Sequence, residues 1–407
     1  MRILFLTQWF QPEPAFKSLP FAEALARQGH QIEVLTGFPN YPGGKLYPGY
    51  RLRLWHREQM DEIRVNRVAL YPSHDKSGLR RIINYTSFAL STFVLALALV
   101  DSPDIIYTYN LVTLGPTACL LRWRYGAKLI LDVQDLWPES VTQSGMLHNP
   151  IAVRLLTCAC NWLYRQFDWL TVLSPGFKQT LVKRGVPADQ IEVIYNWADE
   201  TNQQLQVRDD ELACSLGLQG KFTILFAGTM GVMQGLGTVL DAAEICRQTH
   251  PHIQFVLIGG GVERAALQAQ LIERRIENVQ LLSPQPTEAM GRYYALADAL
   301  LVHLKDDPLF QITIPSKTQV YLSMGKPILM AMCGDAADLI RRAGAGLVCP
   351  PDDPSALAEC VKRLAMMSDV ERDRMGQAGL KFYRQNLSMA AGVARFEQRM
   401  KALTQSR

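Results

Sequence analysis

The sequence lacks the cysteine and histidine patterns of metal-binding or disulfide-stabilised proteins. Its eight cysteines form no CxxC pair, and the closest two, Cys158 and Cys160, have no histidine cluster nearby, so metal-ligand spacing is absent. Most cysteines lie in apolar runs, as Cys119 and Cys246 do, which is typical of reduced core residues. Because a strand-like run begins at Arg2 and leaves no space for a signal peptide, we expect a reducing, cytoplasmic location.

Low-complexity tracts and linker-like runs of Pro, Gly or Ser are also absent, so we expect little disorder. The chain has 407 residues, 48% hydrophobic and 20% charged, which suits two or three packed domains. The net charge is +4, with the basic excess in residues 1–195. This excess is too small and diffuse to indicate a nucleic-acid partner. It suits an anionic membrane surface, a diphosphate-bearing partner or ordinary surface variation.

Strand-like apolar runs alternate with helix-length segments along the whole chain. Several runs are nearly continuous in aliphatic and β-branched residues, as in parallel strands buried on both faces. The pattern predicts an α/β protein of two Rossmann-like, doubly wound domains that face each other across a cleft. The first spans 1–198, the second spans 199–387 with a linker-like start at 199–220, and a helix in 388–407 packs back toward the first. The predicted strands are 2–7, 31–36, 104–109, 128–133, 169–174 and 191–196, then 222–228, 253–259, 279–282, 299–304, 327–332 and 346–349.

One segment carries no charged residue over 19 positions, from Ile82 to Val100. Its length reaches the lower limit for a membrane span. It also contains polar residues such as Asn84 and Thr92, and a strand of the same predicted sheet follows it directly. Three interpretations stay open: a membrane span, a helix whose apolar face touches the membrane, and a helix buried by protein.

The strongest local motif is TIPSKTQVYLSMGKP at residues 313–327. Pro315 fits the first position of a helix, and Gly325 fits its end. Lys317 then lies in the first turn, where the helix dipole disfavours a cation. A phosphate bound at this helix start, with Ser316 and backbone N–H groups as donors, would remove the conflict. The alternative is an ordinary surface lysine.

Two glycine-rich turns follow predicted strands in the second half of the chain. The first contains Gly228, Gly231 and Gly235 and leads into a helix whose N-terminus can receive a diphosphate. Its spacing matches neither the P-loop nor the dinucleotide fingerprint, which disfavours a nicotinamide oxidoreductase. In the second turn, residues 259–264, Glu263 occupies a first helical turn, where a carboxylate is also favoured for structural reasons.

Acidic and aromatic residues follow a predicted strand in the first half. Asp132, Asp135, Trp137 and Glu139 lie at a carboxyl strand end, where α/β sheets bind ligands. A carboxylate there can serve as the base for an acceptor hydroxyl, and an indole face can pack on a sugar ring. The alternative is a helix start with Pro138 in its first position.

Two further loops, residues 11–17 and 37–47, are rich in Pro, Gly or aromatic residues and also follow strands, which suggests recognition work. We expect Lys17 and Tyr41 in these loops to point to the crevice that holds Asp135. Asn196 lies at a similar strand end.

The combination resembles glycosyltransferase family 4 of bacterial surface-polysaccharide assembly, which has the GT-B fold. EVLTGFPNYP (33–42), DVQDLWPE (132–139) and IPSKTQ (314–319) are similar to the subgroup of O-antigen N-acetylfucosamine transferases. The resemblance implies a retaining transferase that needs no metal or other cofactor. It implies transfer of a sugar, a deoxy-amino hexose in this subgroup, from a nucleotide-diphosphate donor, with uridine the expected base. The implied acceptor is a polyprenyl-diphosphate-linked saccharide on the cytoplasmic membrane surface, so we expect a peripheral membrane enzyme.

Motifs and resemblance together assign the site residues. Asp135 and Lys317 are the expected catalytic residues. The expected donor-binding residues are Gly228, Thr229, Gln234, Gly235, Glu263, Thr313, Ser316, Lys317 and Gln319. The expected acceptor-binding residues are Lys17, Tyr41, Trp137, Glu139 and Asn196.

The sequence departs from the family pattern at several of these places. The departures are Ile312 and Val320 for two glutamates, Thr229 and Gln234 for an arginine and a lysine, and Gln134 for a histidine. We expect Gln319 to substitute for the ribose-binding glutamate and Lys317 to carry more of the diphosphate charge. Two alternatives stay open: a UDP-sugar 2-epimerase of the same fold, and a non-catalytic nucleotide-sugar-binding or scaffold protein, which the missing glutamates suggest.

Overall fold

The computed structural model describes residues 1–73, 77–110, 112–143, 147, 149–202, 204 and 206–405. The chain forms two compact units. The first consists of Met1–Ile194 together with Val393–Arg407, and the second of Tyr195–Gly392. Each unit is built on a predominantly parallel sheet with connecting helices, so the expected α/β class with two Rossmann-like domains is confirmed.

The sheet of the first unit has the strand order β3-β4-β2-β1-β5-β6-β7-β8. All neighbours are parallel except the β3–β4 hairpin at the edge. This hairpin lies in a region where the sequence pattern predicted no strand. The strands are β1 Arg2–Leu6, β2 Gln31–Gly37, β3 Trp55–Met60, β4 Ile63–Val68, β5 Ile105–Tyr109, β6 Lys128–Val133, β7 Trp169–Val172 and β8 Ile191–Val193.

The helices of the first unit cover both faces of its sheet. They are α1 Leu19–Arg27, α2 Gly78–Leu99, α3 Gly115–Tyr125, α4 Glu139–Gln143, α5 Pro150–Tyr164 and α6 Pro175–Lys183. The connections that contain α2, α3 and α5 run in one direction along the sheet, from β4 to β7. Because such connections are right-handed, these three helices lie on the same face, and α1 lies on the opposite one.

The second unit has an all-parallel sheet in the order β11-β10-β9-β12-β13-β14. Its strands are β9 Phe222–Ala227, β10 Ile253–Ile258, β11 Val279–Leu282, β12 Ala299–His303, β13 Ile328–Ala331 and β14 Gly346–Cys349. Its helices are α7 Asp210–Ser215, α8 Leu236–Thr249, α9 Arg264–Glu273, α10 Met290–Leu296, α11 Pro308–Gln311, α12 Ser316–Ser323, α13 Asp335–Ala343, α14 Pro354–Met366 and α15 Asp369–Asn386. The last helix, α16 Met389–Gln405, contributes its residues from Val393 onward to the first unit.

The charge-free segment forms most of α2, and its packing excludes one of the three interpretations. Within the described residues α2 is the one helix long and apolar enough to cross a membrane. One stripe of it, including Asn84, Phe88 and Thr92, is buried against the first unit. The strands before and after it, β4 and β5, belong to one sheet. A membrane span would have to pull that sheet apart, so the span interpretation is wrong.

Candidate functional site

The candidate donor site lies at the carboxyl edge of the second sheet. The strand order reverses between β9 and β12, the switch point at which open α/β sheets bind ligands. The loop 228–235 follows β9, and His303 ends β12. Backbone atoms of two turns form the surface of this site. The amide of Met230 donates to the carbonyl of Gly260 at 2.7 Å, and the amide of Glu263 donates to the carbonyl of Met230 at 3.0 Å. These bonds join the two glycine-rich turns that the sequence singled out.

Glycine is required where the two turns meet. Gly259 has a φ of +155°, and a Cβ there would lie 1.9 Å from the carbonyl oxygen of Gly228. Gly261 has a φ of +147° and approaches the carbonyl of Met230 in the same way. The glycines therefore serve the close packing of one turn on the other, which fixes the shape of the backbone that faces the site.

The side chain of Lys317 extends from the first turn of α12 to the loop 228–235. Its Nζ lies 3.9 Å from the centroid of the Phe226 ring and 3.2 Å from the Oε1 of Gln234, to which it donates. Burial lowers the pKa of this ammonium to about 7. Among the described residues no carboxylate forms an ion pair with it. Lys317 keeps part of its surface exposed. A partly desolvated cation held without a counter-ion is matched to an anionic ligand that can reach it.

The other predicted donor residues surround Lys317 with different exposure. Gly228 would bring a Cβ to 3.4 Å from the Nζ of Lys317, and the carbonyl of Gln234 lies 2.7 Å from the Nδ1 of His303. Gly235 has a φ of +58° and contacts the same imidazole, which the sequence did not predict as a site residue. Residues that remain accessible at this edge are Thr229, Ser316 and, in part, Glu263.

Two of the predicted donor residues have local roles. Gln319 is 4% exposed, and its amide nitrogen lies 2.8 Å from the carbonyl of Ser316 and 2.9 Å from that of Pro315. It closes the start of its own helix, so its expected contact with a ribose is corrected. The hydroxyl of Thr313 donates to the carbonyl of Leu309 at 2.8 Å and holds the turn before α12.

The candidate acceptor site lies at the carboxyl edge of the first sheet, around Asp135. The amide nitrogen of the Asn110 side chain donates to Asp135 at 3.0 Å, and the backbone amide of Asp135 donates to the Oδ1 of Asn110 at 3.0 Å. Burial raises the pKa of the Asp135 carboxyl, and the hydrogen bond from Asn110 opposes that rise. A carboxylate with a raised pKa at a strand end has the properties of a general base.

A row of four aromatic rings flanks this carboxyl group. The ring of Trp9 lies 5.6 Å from that of Tyr41 and 6.1 Å from that of Tyr85, and Tyr85 lies 6.3 Å from Trp137, between ring centroids. Tyr41 and Trp137 were predicted, and Trp9 and Tyr85 were missed. Burial raises the pKa of Tyr85, and the charge of Asp135 adds to that rise, which places this ring near the carboxyl group. Trp9, Tyr41 and Tyr85 keep part of their rings exposed, and such faces can pack on a sugar ring. Trp137 is buried, at 8% exposure, so its predicted contact with an acceptor is corrected.

The prediction that Lys17 binds the acceptor is wrong. Its ammonium is fully buried, pairs with Asp132 at 2.7 Å and lies 5.3 Å from the ring of Phe396. Asp132 also accepts hydrogen bonds from Tyr107 and Thr171. A lysine enclosed in this way holds the interior of the first unit together and is not accessible to an acceptor.

Two further acceptor predictions are placed differently by the structure. Glu139 stays partly exposed but forms an ion pair with Arg184, which also donates to the carbonyl of Trp137 at 2.7 Å. Asn196 is 6% exposed and falls in the second compact unit, which begins at Tyr195. The predicted domain boundary at residue 198 stays a prediction.

Glu13 is a buried acid that sequence reasoning missed. One of its oxygens accepts the backbone amides of Asn40 and Tyr41, both at 2.7 Å, so it joins the two loops at the acceptor edge. Burial raises its pKa to about 7. The loop 11–17 was recognised as a candidate, but only the tertiary contacts show which of its side chains faces inward. Asn110 has a simpler signal, because it directly follows a predicted strand.

Comparison with known proteins gives a consistent result for both units. Residues 18–197 match the family "Glycosyl transferase 4-like domain", and residues 221–366 match the family "Glycosyl transferases group 1". Two related bacterial proteins are named as glycosyltransferases. Glycosyltransferase WbjE of Pseudomonas aeruginosa is 26% identical over 68% of this chain and 69% of its own length. Colanic acid biosynthesis glycosyl transferase WcaI of Escherichia coli K12 is 28% identical over 74% of this chain and 75% of its own.

Solved structures share the fold of the whole chain. Anabaena HepE, crystallised in complex with UDP, has a TM-score of 0.70 at 15% identity and covers 99% of this chain and 100% of its own. The trehalose 6-phosphate synthase of Burkholderia multivorans has a TM-score of 0.74 at 14% identity and covers 100% of this chain and 97% of its own. With both family domains present in this order, the chain belongs to the glycosyltransferases that combine a 4-like domain with a group 1 domain, and it is a transferase enzyme.

Proposed function

We propose that the protein transfers a sugar from a uridine-linked nucleotide sugar to a polyprenyl-diphosphate-linked saccharide, with retention and without a metal, in the biosynthesis of a bacterial surface polysaccharide. The enzyme then works as a peripheral protein on the cytoplasmic face of the membrane, where such an acceptor is found. The name of WcaI, a glycosyl transferase of colanic acid biosynthesis, supports the polysaccharide pathway, and the UDP bound to HepE supports the base. A deoxy-amino hexose is the proposed sugar, from the resemblance of the motifs.

The observation that carries the proposal is the buried ammonium of Lys317 at the switch point of the second sheet. The leaving diphosphate gains negative charge as the glycosidic bond breaks. Lys317 and the backbone N–H groups at the start of α12 stabilise that charge where it develops, which lowers the barrier. In the first unit, Asp135 accepts the proton of the acceptor hydroxyl, and the aromatic row holds the acceptor sugar.

The test compares Lys317→Met with the unchanged protein. Methionine keeps the apolar stem over Phe226 and removes the charge, so the thermal midpoint should stay the same or rise. We expect the affinity for UDP, measured by calorimetry, to fall by roughly 100-fold, as for the loss of a charge-assisted contact of about 2–3 kcal/mol. Glu288→Gln, at an exposed position of the same unit, is the control. Equal UDP affinity in Lys317→Met and the unchanged protein would refute the donor assignment.

A panel of UDP-, GDP- and TDP-sugars in a thermal-shift assay tests the base. Uridine derivatives should give the largest stabilisation, because ligand binding raises the unfolding temperature in proportion to affinity. Release of a free epimerised sugar from donor alone would instead favour the epimerase. Donor binding without transfer to any lipid-linked acceptor would favour the non-catalytic alternative.

A further inference from the structure

The three helices on one face of the first sheet expose large apolar side chains. On α2 these include Leu90, Phe93 and Val94, with Leu90 65% exposed and Val94 66% exposed. On α3, Trp123 is 79% exposed, and on α5, Leu155 and Trp162 are 67% and 57% exposed. The helices α2 and α3 pack against each other, and right-handed connections place α5 on the same face. Clustered apolar side chains of this size mark an interaction surface.

The charged residues within these three helices have one sign. The sequences of α2, α3 and α5 contain no Asp or Glu. They contain five arginines, Arg80, Arg81, Arg122, Arg124 and Arg154. Arg122 is engaged with Asp168, whereas Arg80, Arg124 and Arg154 are exposed. Three acid-free helices that combine exposed arginines with exposed apolar side chains complement a layer of anionic headgroups over acyl chains.

The two exposed tryptophans strengthen the match to a lipid surface. The indole ring combines an apolar body with an N–H donor, which suits the boundary between headgroups and acyl chains. A protein interface would be expected to bury apolar side chains in a core and to surround them with charges of both signs. The absence of acid from all three helices favours lipid over a protein partner.

We propose that α2, α3 and α5 form the surface by which this protein docks onto an anionic phospholipid bilayer. The apolar side chains enter the interfacial layer, and the arginines contact lipid phosphates. This inference rests on the proposed function in one respect, because a lipid-linked acceptor requires the enzyme to reach a membrane. It adds the docking face itself, which spans three helices.

Vesicle sedimentation tests the proposal. We expect the full-length protein to bind phosphatidylcholine vesicles that contain roughly a third phosphatidylglycerol, and to bind pure phosphatidylcholine much less. The double variant Phe93→Gln/Val94→Gln should bind the anionic vesicles about tenfold less tightly or worse, from the apolar area it withdraws. The matched control is Met366→Gln/Val370→Gln, which removes two apolar side chains of similar exposure from the second unit. Equal vesicle binding by both double variants would overturn the proposal.

Tryptophan fluorescence provides an independent readout of depth. Lipids brominated on the acyl chain should quench the protein on vesicles, and Trp123→Phe should lose a clear part of that quenching. The variant Arg124→Gln/Arg154→Gln should bind anionic vesicles with a weaker dependence on salt. No quenching on vesicles that sediment with the protein would contradict insertion of this face.

Two further measurements separate this inference from the proposed function. If UDP binds with normal affinity but vesicles do not bind, the docking face fails and the donor site stands. If the protein binds vesicles but not UDP, the donor site fails and the docking face stands. A concentration-dependent dimer in light scattering that Phe93→Gln/Val94→Gln abolishes, without vesicle binding, would assign the face to a second copy and refute the lipid assignment.

Discussion

At the scale of single residues, we expect the ammonium of Lys317 to make the affinity for the proposed donor depend on pH. Burial lowers its pKa in the free protein to about 7, and a bound diphosphate favours the charged form and so raises it. Binding therefore takes up a proton, and the affinity is full below pH 7 and declines as the pH rises above it. We expect UDP to bind about tenfold or more weakly at pH 8.5 than at pH 6.5, measured by calorimetry.

The control for this pH dependence is Lys317→Met, which should show a weak affinity that hardly changes over the same range. Heats measured in buffers of different ionisation enthalpy should reveal the proton taken up by the unchanged protein and none in the variant. The same affinity at both pH values in the unchanged protein would contradict a buried, partly neutral lysine in the free state.

Asn110 is a positioning residue for Asp135, and its backbone and side chain can be tested separately. Its φ of +64° is uncommon for residues other than glycine, asparagine and aspartate. Asn110→Gly keeps this backbone accessible but removes the hydrogen bond that lowers the pKa of Asp135. Asn110→Ala removes the same bond and adds backbone strain of about 1 kcal/mol. Both variants should shift the acidic limb of the pH–rate profile upward.

The two Asn110 variants should show the same pH profile and differ only in stability. Asn110→Ala should unfold at a lower urea concentration than Asn110→Gly. The measurements are the pH dependence of sugar transfer and urea unfolding. A pH profile identical to that of the unchanged protein in both variants would show that Asn110 does not act on Asp135.

At the scale of elements, the strand–turn–helix units of the second sheet contain glycines of two kinds: some leave no space for a Cβ atom, and others do. At Gly259 a Cβ would lie 1.9 Å from the carbonyl oxygen of Gly228, so Gly259→Ala should separate the two turns and weaken both folding and UDP binding. Gly237 lies within α8, and nothing is within 4 Å of a Cβ there. Gly237→Ala should therefore stabilise the protein by about 0.5–1 kcal/mol. Thermal unfolding measures both, and similar midpoints would contradict the packing of the turns.

The hairpin of β3 and β4 shows why one pair of strands could not be predicted. In β4, Asn66 and Arg67 are buried. Polar residues at buried positions break the apolar pattern from which a core strand is predicted. Arg67 pairs with Glu58 of the neighbouring strand β3 and donates to the carbonyl of Gly37 in β2 at 2.9 Å. These partners belong to other strands, so the pattern along β4 itself carries no sign of them.

At the scale of the whole molecule, the chain begins and ends in the first unit. Phe396 of α16 is fully buried and lies 5.0 Å from the ring of Phe21, 5.3 Å from Trp169 and 5.8 Å from Tyr107, between centroids. Phe396→Ala should destabilise the first unit by about 3–5 kcal/mol, since it opens a cavity in an aromatic cluster.

The control for Phe396→Ala is Gln398→Ala, an exposed position on the same helix that should change stability little. Urea unfolding followed by tryptophan fluorescence measures the loss in the first unit, and calorimetry with UDP reports on the second unit. If Phe396→Ala left the urea midpoint unchanged, residues 393–407 would not stabilise the first unit.

The sequence by itself determined the fold class, nearly all the parallel strands and the carboxyl edges at which ligands bind. It could do so because strands buried on both faces must be continuously apolar, and ligand sites follow from strand order. It also placed Lys317, Gly228 and Asp135 at those edges. Only the tertiary structure decided which polar side chains face the ligand and which face the core. Lys17 and Gln319 carry groups that suit a substrate, yet Asp132 and the start of α12 enclose them, because a buried polar group must be satisfied by whatever the fold brings near it.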